Sequence, residues 1–285
     1  MPDSAKTRRA FLLGNPDKSE ARAVMRDLRP FAASRCELVG ADLGLDGGAA
    51  VETGAERLIV IGGDGTLIGV ARSLNTDQIP LIGVNVGKLG FLTEFSIEEL
   101  KDNFDRAVSD DTLISRRAML QVTIVKDGDT PLTYLAVNDC VIQAGAPFRL
   151  INMGVSINNE RLADVSGDGM IVCTSSGSTA HNLSAGGPIM QPGVDAIVLT
   201  PLCAHSLTHK PLVIEREAAI DILARAVNEG TTVIIDGQVS SPLEQDDRVI
   251  IKRFSADLKM VRNPLYAKWH KLVNKLHWGR APNYE

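Results

Sequence analysis

Five consecutive residues, Gly62-Gly63-Asp64-Gly65-Thr66, are the first that could do chemistry. They follow a continuous apolar run, Leu58 to Ile61. They precede Leu67, Val70, Ala71 and Leu74, spaced as one face of a helix. Without side chains, Gly62, Gly63 and Gly65 let backbone N–H groups approach an anion, and the start of a helix adds partial positive charge. That combination suits a phosphate. An acidic group in the middle of such a cradle repels phosphate unless it faces a metal ion or a hydroxyl being activated. Transfer of a phosphoryl group to an alcohol needs such a carboxylate, to orient the acceptor and take its proton. The same five residues would also serve as a tight strand-to-helix turn capped by Asp64. Two common phosphate loops do not fit. Gly63, Gly65 and Gly69 give G-x-G-x-x-x-G, one residue longer than the Rossmann fingerprint. Gly83 to Leu89 is one residue short of a Walker loop, and Leu89 stands where that loop has a hydroxyl after Lys88.

A second segment, Asp168 to Pro188, is rich in hydroxyls, amides and glycines and nearly free of charge. It can hydrogen-bond a neutral polar ligand such as a base, ribose or carboxamide. A polar surface loop is the alternative. His205 and His209 form H-x-x-x-H, but no Glu follows in the metalloprotease manner, and a mutual hydrogen bond or packing is the reading.

These segments need elements to hold them. In 285 residues, at about 100–200 per domain, one large domain or two modest ones fit. Apolar residues make up 44% and charged residues 23%, which is globular and excludes disorder and collagen-like repeats. A net charge of −5 and 4% aromatics argue against a nucleic-acid grip. Cys36, Cys140, Cys173 and Cys203 form no C-x-x-C pair and are expected to be buried free thiols. The basic start is followed by only four apolar residues, Ala10 to Leu13, short of the about 7–15 of a secretion signal. No run approaches the ~20 residues of a membrane span. A soluble, cytoplasmic protein is expected, with no membrane partner.

The first third alternates strands (Ala10–Leu13, Glu37–Val39, Arg57–Ile61, Pro80–Val84) with helices, one of them through Ala21, Val24, Met25 and Leu28. Ser96 and Glu99 form a capping box for a helix through about Val108. This order implies a doubly wound parallel sheet. After residue 115 hairpins take over: Met119–Lys126 with Leu132–Val137, and Ile151–Ile157 with Arg161–Val165. Further strands are expected at Met170–Thr174, Ala196–Thr200, Thr232–Ile235 and Arg248–Arg253, with a short helical stretch around Ala218–Val227. The expected fold is an N-terminal α/β domain around the doubly wound sheet (residues 1–115) and a C-terminal β-rich, sandwich-like domain (116–255). A helical tail (256–285) completes it. In that tail Tyr266, Trp269, Val273 and Leu276 make an apolar face that packs back on the body, with Lys268, Lys271 and Lys275 on the wet side.

With both motifs in place the sequence resembles the NAD kinase family. The resemblance rests on Gly62 to Thr66 and on Gly177-Ser178-Thr179-Ala180 followed by Ser184 to Ile189. Gly83 to Leu92, Asn138-Asp139, Pro201 to Leu212 and Asp236-Gly237-Gln238 agree in order and spacing. It covers roughly residues 9–255 and implies that the N-terminal α/β domain is nucleotide-binding. It implies transfer of the ATP γ-phosphoryl group to the adenosine-ribose 2′-hydroxyl of NAD, giving NADP. It implies a divalent metal (Mg²⁺ or Mn²⁺), with inorganic polyphosphate as a donor in some members. By motif match Asp64 would be the catalytic base, within the phosphate loop Gly62, Gly63, Gly65 and Thr66. Asp64, Gly65, Asn138, Asp139, Arg149, Asp168, Thr179, Ala180, His181, Asn182, Leu183, Ser184 and Gln238 would hold NAD. No metal ligand is assigned. The resemblance further implies a homodimer or homotetramer whose neighbouring subunits can contribute to the site.

The chain departs from the family pattern in places. Asp139 stands where Glu is usual, keeping the charge but losing about 1.5 Å of reach. Thr174-Ser175-Ser176 replaces Thr-Pro-Thr, and His181 replaces Tyr with less stacking area. Two other readings differ in what they predict. A non-catalytic NAD(P)-binding sensor would bind without turnover. A diacylglycerol-type lipid kinase would want an apolar slot and a membrane-facing surface.

Overall fold

The computed structural model describes residues 8–87, 90–267 and 269–278. Lys88, Leu89 and Lys268 lie outside the described residues. The chain divides into two compact units. The first takes the chain up to Ser73, Ile79–Ser115 and the segment from Lys259 onward. The second takes Leu74–Gln78 and Arg116–Leu258.

In the first unit six strands form one sheet, in the order Glu37–Leu43, Arg9–Gly14, Arg57–Gly62, Leu81–Asn85, Leu258–Val261, Ile114–Arg117. The first four run parallel. A parallel strand with helices on both faces must be apolar throughout, and all six residues of Arg57–Gly62 are buried. Helix Ser19–Ala33 contributes Ala21, Val24, Leu28 and Ala32 to the core beside the sheet, joined by Phe95, Phe104 and Val108. Each of the valine, leucine and phenylalanine side chains contributes roughly 1.5–3 kcal/mol by leaving water, and each alanine about 0.8. The Ser96–Glu99 capping box forms as expected. Its helix, however, stops at Asp102, and a second helix runs Phe104–Ser109. Asn103 makes the break: its side-chain amide donates to Glu99 O at 3.1 Å, and its own backbone leaves helical geometry.

The second unit is two six-stranded antiparallel sheets, matching the β-rich expectation. One has the order Glu160–Gly167, Ile151–Ile157, Ile220–Ala226, Arg248–Arg253, Leu120–Val125, Leu132–Ala136. The other has the order Leu212–Glu215, Ala196–Leu202, Gly169–Thr174, Asp139–Gln143, Thr232–Ile235, Val239–Pro242. Leu120, Val122, Val249 and Ile251 of one meet Ile142, Val172, Leu199 and Val233 of the other in a single core.

Three expectations need correction. Ala218–Val227 is not helical: Ile220, Ile222 and Ala224 point inward at a period of two, in strand Ile220–Ala226. The tail from residue 256 begins with a strand, Leu258–Val261, and its helix is only His270–Leu276. Cys36, Cys140 and Cys173 are buried free thiols, but Cys203 is exposed. Among the described residues no helix is long and apolar enough to cross a membrane.

Candidate active site

The Gly62–Thr66 motif leaves the end of strand Arg57–Gly62 and enters helix Asp64–Ser73 at once. The turn demands its glycine. A Cβ at Gly62 would lie 2.5 Å from Thr66 Oγ1, which is buried beneath it. Asn15, from the turn after the first strand, donates its side-chain amide to that hydroxyl at 2.9 Å. A Cβ at Gly63 would meet only Lys18 Nζ, at 3.6 Å, so an ammonium stands beside the loop. Gly65 is exposed.

Asp64 faces a group the sequence reading did not anticipate. Its Oδ2 accepts the N–H of Phe91 at 2.6 Å, and its Oδ1 accepts those of Leu92 and Thr93, both at 3.0 Å. These amides follow the Gly83–Leu89 stretch, and their segment passes so close that a Cβ at Gly90 would sit 1.8 Å from Asp64 Oδ1. Three charge-assisted bonds hold the carboxylate at a fixed point and angle. Its remaining lone pairs can still accept from a hydroxyl. The signal was Gly90 itself, a glycine that admits a neighbour where any other side chain would clash.

In the second unit Asn138 and Asp139 enter strand Asp139–Gln143. The Asp236 carboxylate accepts the backbone N–H groups of Val137, Asn138 and Asp139, at 3.0, 2.7 and 3.1 Å. Asp236 and Gly237 both have positive φ, and Gln238 N–H bonds Ile235 O at 2.9 Å, which closes the three-residue turn between the paired Ile235 and Val239. Thr174 Oγ1 donates to Val137 O at 2.7 Å, and a Cβ at Gly177 would lie 2.2 Å from Asn138 O. The polar segment is thereby pinned to the Asn138 turn. Asn138, Asp139, Ala180, His181 and Asp236 line one cavity of about 190 Å³. Gln238 lines a neighbouring one of about 260 Å³ with Gln143 and Ser240, sharing Ile234 and Gly237. Asp139 is buried, and burial, then the Asp236 charge, pushes its carboxyl up to about 7. The full negative charge expected there at neutral pH is therefore only partly present.

Not every proposed contact faces this cavity. Asn182 is fully buried: its amide donates to Ser178 O and Pro188 O at 3.2 and 3.1 Å and accepts from Thr200 Oγ1 at 2.6 Å. In this structure it braces the loop from within, and no Asn182 atom lines the Asn138 cavity. Thr179 Oγ1 donates to Ser176 O at 3.2 Å, while Leu183 is half-buried and Ser184 exposed on the short helix His181–Ser184. Arg149 and Asp168 lie elsewhere. In the pairing of Gly169–Thr174 with Asp139–Gln143, Cys173 faces Asp139 and Gly169 faces Gln143. Ala144 N–H bonds Asp168 O at 2.8 Å, so Asp168 adjoins the Gly169 and Gln143 end, opposite Asn138, while Arg149 O accepts the side-chain amide of Asn228 at 2.7 Å.

The tail also differs from its reading. Trp269 and Val273 are exposed, and no residue of His270–Leu276 is buried. Lys271, placed on the wet side by its spacing, turns inward with its ammonium bonded to Phe91 O, Thr93 O and Glu94 Oε1. The acceptors of the 91–94 segment hold the cation more strongly than a short apolar row holds a helix.

Comparison with known proteins agrees with this architecture. Residues 12–112 match the ATP-NAD kinase N-terminal domain and residues 137–263 the ATP-NAD kinase C-terminal domain. NAD kinase of Rhodopirellula baltica is 35% identical over 271 residues, 95% of this chain and 87% of that protein. NAD kinase of Geobacter sulfurreducens is 37% identical over 225 residues, 79% of each. Among solved structures, yeast NADH kinase complexed with NADH superposes with a TM-score of 0.84, at 21% identity over 99% of this chain and 91% of that one. An NAD kinase from Archaeoglobus fulgidus in complex with ATP gives 0.74, at 24% identity over 94% and 98%. These two likenesses concern the fold. With both domain models matched in order and relatives this similar over most of their length, the chain belongs to the NAD kinase family.

Proposed function

We propose that this chain transfers the γ-phosphoryl group of ATP to the adenosine-ribose 2′-hydroxyl of NAD, with Asp64 as the base. The observation that carries the role of Asp64 is its clamped carboxylate, fixed by three backbone amides at the mouth of a glycine loop. An alcohol is a far weaker acid than a carboxylic acid, so a carboxylate cannot generate an alkoxide in the ground state. It does not need to. In a loose phosphoryl-transfer transition state the proton leaves late, and positioning of the hydroxyl supplies most of the effect. The O2′–P bond forms as the bond from phosphorus to the β-phosphate oxygen breaks. The hydroxyl proton passes to Asp64 and ADP departs. Lys18, beside Gly63, supplies positive charge to the donor phosphates.

In the second unit Asn138, Asp139, Ala180 and His181 would receive the dinucleotide, with Gln238 at the adjoining cavity. Among the described residues no three His, Cys, Asp or Glu side chains converge as a metal cage. The divalent ion is therefore proposed to ride on the ATP phosphates and waters, as Mg²⁺ commonly does, where it neutralises phosphate charge. We further propose a homo-oligomer, in which Asp168, at the opposite end of strand Gly169–Thr174 from Asn138, would serve the site of a neighbouring copy.

The deciding experiment is NADP formation by purified protein with NAD, Mg²⁺ and either ATP or polyphosphate, beside the Asp64→Asn variant. The expected result is turnover by the wild type and a loss of about a thousandfold or more in kcat for the variant, with the fold intact. Near-normal turnover by Asp64→Asn removes Asp64 from the mechanism. Tight NAD binding without turnover by the wild type would favour the sensor reading.

A further inference from the structure

The 91–94 segment has two sides, and both are occupied by charge. Its N–H groups point at Asp64. Its carbonyls point the other way, at Lys271. The ammonium bonds Glu94 Oε1 at 2.7 Å, Phe91 O at 2.8 Å and Thr93 O at 2.9 Å, one acceptor for each of its three protons. The Lys271 side chain is 17% exposed and that of Glu94 9%, so this pair is screened far less than a surface ion pair. The tail holds the segment at further points. Asn263 donates its side-chain amide to Glu94 O at 3.1 Å, and Lys275 Nζ lies 4.4 Å from the centroid of the Phe91 ring.

We propose that Lys271 is a positioning residue for the phosphoryl transfer: by gripping the carbonyl side of Phe91 and Thr93 it fixes the amides that aim Asp64. The inference rests on the reading of Asp64 as base. The cation on Phe91 O polarises the peptide unit that carries the Leu92 N–H, which strengthens that donor to Asp64, so the bonds on the two sides of this unit reinforce one another. Without the ammonium, two carbonyls lose a donor and the Glu94 carboxylate loses its cation while keeping the Asn263 N–H, and the segment relaxes away from Asp64. A displacement near 1 Å at a reacting group costs roughly a hundredfold in rate. The short helix His270–Leu276, which buries no side chain of its own, thus has a specific reason to dock.

The test uses the full chain as wild type, Lys271→Met and Asp64→Asn, with two readouts: steady-state kinetics, and backbone amide exchange at Leu92 and Thr93. For Lys271→Met we expect kcat to fall at least about tenfold with KM for NAD and ATP within about threefold. The two amides should exchange at least about tenfold faster, a larger increase than at the amides of strand Arg57–Gly62 in the same variant. Unchanged kcat, or unchanged exchange, overturns the proposal. If Lys271→Met does not fold, Glu94→Gln weakens the same grip from the loop side. It should then speed exchange at both amides and lower kcat; failure of either overturns the proposal. The two readings fail separately. Normal turnover by Asp64→Asn removes the base, and the positioning role with it, even if exchange responds to Lys271→Met. An inactive Asp64→Asn beside a Lys271→Met normal in kcat and exchange removes only the role of the tail.

Discussion

The carboxyl groups of Asp139 and Asp236 share one corner of a cavity, yet only Asp236 is supplied with donors. Asp236 takes three backbone N–H groups. Asp139, 4% exposed, sits in its field, and its carboxyl is pushed up to about 7. The folded state therefore holds this proton more tightly than the unfolded chain, where the ordinary value is near 3.9. Below about pH 4 both states are protonated and the group costs nothing. As pH rises from about 4 to 7, unfolding comes to release a proton, so stability falls across that window, and above it the full cost remains. Asp139→Asn should thus be more stable than wild type at pH 8, by roughly 2–4 kcal/mol, and no more stable at pH 4. Urea unfolding at the two pH values checks it. A stability gap that is the same at both would show that the carboxyl is not strained by its charge.

Much of the fold could be read from periodicity, and the places where it could not are physically specific. Arg57–Gly62 is apolar because both its faces are covered, and its run of Leu58 to Ile61 shows that in any context. Ile220–Ala226 misleads because Ala218, Ile222 and Ala226 also fit a helical spacing; the strands on either side, Ile151–Ile157 and Arg248–Arg253, settle the choice. Of the site, the glycine loop and the Asn138 turn could be read, because their chemistry is in consecutive residues. The grip of Asp236 on Asn138, nearly a hundred positions away, could not. Neither could Lys271 under the 91–94 segment, since a lysine on a short helix looks the same in sequence whether it meets water or three acceptors.

Asn182 offers a choice between two roles that stability can separate. As a brace it is tied to Ser178, Pro188 and Thr200 in a fully buried place, and a Cβ at Gly187 would lie 2.0 Å from its Oδ1. Asn182→Ala strands two carbonyls and a hydroxyl at once and should cost about 2–4 kcal/mol. Thr200→Val removes only one of those bonds and should cost about 1 kcal/mol, with the double variant costing less than the sum. Denaturant titration of the four proteins gives the cycle. An Asn182→Ala protein as stable as wild type, with a greatly raised KM for NAD, would instead make Asn182 a ligand contact.

Asp168 is exposed, its carboxylate raises the neighbouring Cys203 thiol, and it stands at the opposite end of strand Gly169–Thr174 from Asn138. If it belongs to NAD binding, the cavity it serves is that of another copy of the chain. In a closed symmetric dimer each site would then draw Asp64 from one subunit and Asp168 from the other. Homo-oligomers of Asp64→Asn and of Asp168→Asn should both turn over poorly, for different reasons. Mixed oligomers should regain activity, because a subunit with an intact Asp64 and a partner with an intact Asp168 together make one whole site. In a doubly tagged heterodimer one of the two sites is whole, so the recovery would reach about half of wild type. Co-expression with two affinity tags, tandem purification and an NADP assay measure this directly. Recovery by mixing cannot come from a site built inside one chain, so its absence in a well-exchanged mixture would return Asp168 to a structural role at the end of its own strand.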